Sequence, residues 1–117
     1  SAGHVRTSVR YKSSTFDLTS TNVTDVLTCP ADATIIIKSF QANHKTASNV
    51  NVDAFLQKSG GSAVEISHIQ LNKNFANLVT SSLNMEANDV LKIQAATADT
   101  ITGVISYALI DRSQENG

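Results

Sequence analysis

Three histidines, one cysteine and ten carboxylates are the side chains of this chain that could carry acid–base, nucleophilic or metal chemistry. His4, His44 and His68 form no HxH or HxxxH pair. A metal site needs its ligand atoms within about 2 Å of one ion, so only folding could gather these three. His44 falls in a loop beside Lys45 and His68 beside a bulge, which makes both solvated surface residues. Cys29, near Leu27 and Pro30, reads as a buried, inert thiol at a strand end. As the single cysteine it allows neither an internal disulfide nor a thiolate cluster. Asp25, Asp53, Glu65, Asp89 and Asp99 stand singly on outer strand faces or in turns, whereas general acid–base catalysis needs convergent carboxylates in a cleft. No GxSxG elbow, phosphate loop or dinucleotide fingerprint occurs. Ser59-Gly60-Gly61-Ser62 leads into a strand, without the helix N-terminus that binds phosphate. With no Trp, four Phe and two Tyr, the aromatic platform of a carbohydrate or single-strand nucleic-acid binder is thin. The residues argue against an enzyme and call for no cofactor and no metal.

The one concentration of charge is N-terminal. His4, Arg6, Arg10 and Lys12 lie within twelve residues that contain no Asp or Glu. Val5, Val9 and Tyr11 alternate there with polar or basic side chains, too few to join a core. Residues 1–12 are therefore expected to form a basic arm, disordered when alone. Ordering it costs about 1–2 kcal/mol per residue, to be offset by a partner's surface. Arg6, Arg10, Tyr11 and Lys12 are the candidate partner-binding residues, the arginines facing acidic groups on a neighbouring subunit. Over the whole chain nine basic side chains balance ten acidic ones, leaving no field to attract nucleic acid or an anionic membrane. The longest apolar run, Ile35-Ile36-Ile37, is far short of the roughly 18 residues of a membrane span. Residues 1–15 lack the apolar core of a signal peptide. Ser1-Ala2 fits either removal of an initiator Met or a matured terminus.

The elements that must position these residues are strands. The chain is rich in Ser, Thr and Asn and in Val and Ile, a balance typical of β structure with polar faces. Val50, Val52, Ala54 and Leu56 alternate with Asn51, Asp53, Phe55 and Gln57, so one set faces inward and only Phe55 is out of place outside. The Gly60-Gly61 turn favours a hairpin into Val64-Glu65-Ile66, and a change of phase towards Ile69 and Leu71 implies a bulge near Ser67-His68. Ile35 to Ala42 is the most apolar segment and is expected to be central, with its phase unclear. Leu91, Ile93 and Ala95, then Ile101, Ile105, Tyr107 and Leu109, flank Ala98-Asp99 and read as a β-hairpin. Such a string closes as an all-β, antiparallel β-sandwich of about eight strands, jelly-roll-like, over residues 13–112, with a tail at 113–117. At 117 residues one core fits and a second does not.

Four strings, Leu27-Thr28-Cys29-Pro30-Ala31, Ile35-Ile36-Ile37-Lys38-Ser39, Leu83 to Asp89 with Val90-Leu91-Lys92-Ile93-Gln94-Ala95, and Val104-Ile105-Ser106-Tyr107, resemble small all-β virion structural proteins of tailed bacteriophages. In that group a Cys-Pro-Ala turn precedes an apolar strand, and a Gly-Asp hairpin precedes a closing Val-Ile-Ser strand. Here Asn88-Asp89 stands for Gly-Asp, and Asn also accepts a left-handed backbone. The resemblance spans roughly Phe16 to Ile110 and carries packing and turn motifs. It implies a homo-oligomeric virion component that binds capsid or other virion subunits, foremost a capsid decoration or cement protein. A tail, neck or fibre component is the alternative, and a carbohydrate- or receptor-binding module the alternative outside the virion.

Overall fold

The computed structural model describes residues 4–46 and 48–115, with side chains over 8–46 and 48–112. Nine strands are present and no helix among these residues: β1 (His4–Asp17), β2 (Thr24–Thr28), β3 (Ala33–His44), β4 (Asn49–Gln57), β5 (Ala63–Asn72), β6 (Phe75–Asn77), β7 (Leu83–Met85), β8 (Val90–Ala95) and β9 (Ile101–Glu115). One antiparallel sheet runs β1-β9-β3-β6, with β7 also on β3; the other runs β2-β8-β4-β5. Since β6 and β7 pair successive parts of β3, they act as one interrupted strand. The chain then crosses between the sheets at every connection but the β4–β5 hairpin, in jelly-roll order.

The core lies between the sheets. Ile35, Ile37, Phe40 and Ala42 of β3, Val50, Val52 and Ala54 of β4, Leu91, Ile93 and Ala95 of β8, and Ile101 and Ile105 of β9 are all buried. The phase of β3 is resolved by a bulge between Ile37 and Ser39: Lys38 is the extra residue, and its insertion returns Phe40 and Ala42 to the inner face with Ile35 and Ile37. The bulge expected near Ser67-His68 sits at Ile66, which has no partner between Ala54–Ser67 and Phe55–Glu65. Gly60 supplies the positive φ of the β4–β5 turn and Asn88 that of the turn before β8.

Two expectations are corrected. β8 and β9 do not pair, because the intervening turn carries the chain from one sheet to the other. Leu91 and Ile105 face the same core from opposite sides, so the segment is an arch instead of a hairpin. The turn is held by Asp99 N donating to the Leu18 carbonyl and Ala96 N to the Asn51 carbonyl. The expected free arm is likewise paired: His4 to Asp17 is continuous and antiparallel to β9 throughout, from His4 opposite Glu115 to Asp17 opposite Thr102. The backbone ladder, which is indifferent to side-chain polarity, offsets the ordering cost that apolar burial could not.

Cys29 is fully buried, its thiol directed at the carbonyls of Ala33, Pro30 and Met85. Burial pushes its pKa up. Native-state modification by a thiol reagent should therefore proceed at the rate of unfolding. Labelling as fast as that of the denatured chain would place the thiol at the surface.

Candidate assembly interface

β1 is an edge strand, and an edge strand leaves every second N–H and C=O without a ladder partner. Residues 8–13 of this strand are exposed without interruption, on both faces. The register explains it. Arg10 and Lys12 lie in rows with Leu109 and Tyr107 of β9 and with Ile35 and Ile37 of β3, on the inner side of the sheet. Their neighbours in those rows are buried, but β1 itself projects beyond the cover of the second sheet. Val9 and Tyr11 lie on the outer side, in rows with Ile110 and Thr34 and with Ala108 and Ile36. Val9 is 53% and Tyr11 76% exposed, with half-buried Ile36 and Ile110 beside them. The edge thus carries a basic side and an apolar side.

Arg10 pairs with Asp111 of the neighbouring strand at 3.6 Å, and Lys38, the bulged residue of β3, sits 5.6 Å over the Tyr11 ring. Of the four residues singled out from sequence, the structure places Arg10 and Lys12 together on one side and Tyr11 on the other. The side chain of Arg6 lies outside the described residues. At the start of the covered part of β1, Phe16 stacks edge-on against Phe40 of the core, their centroids 5.9 Å apart.

The carboxylates and histidines are arranged differently from their sequence reading. Asp53 on β4 stands opposite His68 on β5, and the Ile66 bulge swings Glu65 onto the same outer face. His68 Nδ1 bonds Asp53 and lies 3.9 Å from Glu65. Three side chains, two carboxylates and one imidazole, therefore bring one oxygen or nitrogen each within 4.8 Å of one another, held on two strands. The hydrogen bond to Asp53, reinforced by the charges of Asp53 and Glu65, pushes the His68 pKa up. A raised folded-state pKa means that the contribution of this pair to stability is complete below the unfolded value near 6.5 and is lost as pH rises through the folded value. The His68 ring resonances are expected to titrate at higher pH than a free imidazole, and in D53N to move down towards the free imidazole value while Glu65 keeps part of the shift. Equal midpoints in the two proteins would dissolve the pair.

His44, expected on the surface, is buried beside Ile101, and its Nδ1 accepts from Thr46 N at 3.0 Å. This fixes Nε2–H as the protonated nitrogen, and among the described residues it has no partner. Asp89, read as a turn carboxylate, is 1% exposed. Its oxygens accept from Lys58 Nζ, Ser59 N and Glu86 N, so one side chain joins the β4–β5 turn to the loop before β8. An open groove of about 340 Å³ lies between β5 and residues 77–83, with Ile66, Ile69, Leu78 and Leu83 along it. These arrangements are structural or electrostatic.

Neither a protein-family model nor a curated protein matches the chain. Solved structures do match its fold. A chain of the acid-stable capsid structure of Helicobacter pylori bacteriophage KHP30 superposes with a TM-score of 0.56 at 10% identity, covering 96% of this chain and 100% of that one. A chain of Bacillus endospore appendages, a family of disulfide-linked pili, superposes with a TM-score of 0.50 at 12% identity, covering 97% of this chain and 91% of that one.

Proposed function

We propose that this protein is a non-enzymatic structural subunit of a phage virion, of the capsid decoration or cement type, which binds and stabilises neighbouring capsid subunits. The observation that carries the reading is the end-to-end likeness to the KHP30 capsid chain, which accounts for all of that chain and nearly all of this one. The resemblance of four residue strings to tailed-phage structural proteins points the same way. A disulfide-linked appendage fits less well, because the single thiol of these 117 residues is wholly buried.

The mechanism is mechanical. A packed sandwich presents the long edge strand β1, and its residues Arg6, Arg10, Tyr11 and Lys12 form the docking segment. Each contact contributes modestly, and repetition over a symmetric shell multiplies it. The test is composition of the particle. Dissociating purified virions and counting copies should give a number on the order of hundreds for a shell protein, against about six or twelve for a neck or tail ring. A ring-like count would move the protein to the tail, and its absence from particles would overturn the reading.

A further inference from the structure

The free edge of β1 has a side-chain pattern specific enough to describe what can lie against it. Over residues 8–13 the strand is exposed on both faces, Arg10 and Lys12 projecting to one side and Val9 and Tyr11 to the other. A strand added to this edge must place its own alternate side chains beside those two sets. Directly opposed residues on paired strands are about 4.5–5.5 Å apart, close enough for like charges to destabilise the pairing.

A second copy of β1 meets that penalty. An antiparallel pairing centred on Arg10 sets Arg10 against Arg10, and one centred on Tyr11 sets Arg10 against Lys12. Other segments of the chain offer no better complement, since no two of its ten Asp and Glu residues stand two positions apart. Charged side chains on an edge are also how sheets avoid joining to themselves. The edge is thus closed to its own kind and open to a segment of opposite pattern.

We propose that residues 8–13 of β1 accept an extended segment of a different protein in which acidic side chains alternate with apolar ones. The acidic positions pair with Arg10 and Lys12, the apolar positions cover Val9 and Tyr11, and the backbone adds a fifth line to the β1-β9-β3-β6 sheet. Arg10 keeps free guanidinium donors beyond its exposed pair with Asp111, so docking does not require that pair to break. Under the virion reading, on which the identity of the partner rests, this segment belongs to a capsid subunit.

The probes are three synthetic heptapeptides: one alternating Glu and Val, one alternating Lys and Val, and one with the Glu and Val residues of the first in separate blocks. Added to the full chain, the alternating Glu–Val peptide should slow amide exchange within residues 8–13 and bind about tenfold more tightly than the Lys–Val peptide. The blocked peptide should bind no better than the Lys–Val one. In R10E/K12E, checked for native circular dichroism, the preference should reverse towards the Lys–Val peptide. If that variant fails to fold, K12E alone should still narrow the preference. No binding, equal binding of the two alternating peptides, protection on β5 instead of β1, or protection of β1 through self-association without peptide would each overturn the proposal. These outcomes are independent of the particle count. A protein found in virions that ignores the peptides retains its structural role and loses this docking mode, whereas one that binds them and is absent from virions does the reverse.

Discussion

Replacing Gly103 by alanine should destabilise the fold by about 3 kcal/mol and lower Tm by roughly 10–15 °C. Gly103 is the third residue of β9, between Phe16 of β1 and Ala42 of β3. A Cβ at this position would stand 2.2 Å from the Gln41 carbonyl oxygen and 2.2 Å from Phe16 Cζ. The first neighbour is backbone of a central strand and cannot yield without opening the β3–β9 ladder. The second is a ring fitted edge-on to Phe40, so moving it uncovers the core at the start of the free edge. The double variant F16L/G103A should recover part of the loss, since it removes only the ring from the clash. Thermal unfolding measures both. A G103A protein within 1 kcal/mol of the parent would mean that the two strands do not approach as closely as described.

This glycine also shows where reading a sequence stops. The strands themselves were legible, because Val50 to Leu56 and Leu91 to Ala95 alternate cleanly and each inward set is buried except Leu56, which is half-buried against the core. The central position of Ile35 to Ala42 was legible too, from its apolar content. Its phase was not, since an extra residue at Lys38 reverses inside and outside without any mark of composition. The β8–β9 turn failed for a related reason: two segments of matching alternation look the same whether they pair in one sheet or face each other from two. The β1 segment reads as an arm because its stability comes from backbone pairing with β9, which side-chain polarity does not report. For the candidate interface, the exposed basic and aromatic residues could be named from sequence, and their division between two sides of one edge follows from period two once a strand is granted. Counting outward from the Gly60-Gly61 turn places Glu65 opposite Phe55 but Asp53 opposite Ser67, and only the Ile66 bulge, whose position sequence gives approximately, brings His68 opposite Asp53.

The second large effect is expected at Asp89, for which neither spacing nor charge gave a signal. D89A should cost about 2–4 kcal/mol, because the carboxylate holds two backbone donors and one ammonium group together across two loops. The same segment is pinned to the end of β2, where Cys29 N donates to the Asp89 carbonyl at 2.9 Å and Asn88 N to that of Cys29 at 2.9 Å. Removal of the side chain therefore frees the β4–β5 turn without detaching the loop from β2. Burial works to raise the Asp89 pKa, but the hydrogen bonds from Lys58, Glu86 and Ser59 outweigh it and hold the value below that of an ordinary carboxylate. A depressed folded-state pKa makes the contribution of this group complete above the unfolded value near 3.9 and lost as pH falls through the folded value. Stability of the parent should therefore drop steeply below about pH 4, whereas D89N, already weaker at neutral pH, should show a shallower acid limb as the titrating group is gone. Chemical denaturation at a series of pH values measures the two slopes. Parallel acid limbs in parent and D89N would remove Asp89 from the account of acid stability and leave its role to the neutral hydrogen bonds alone.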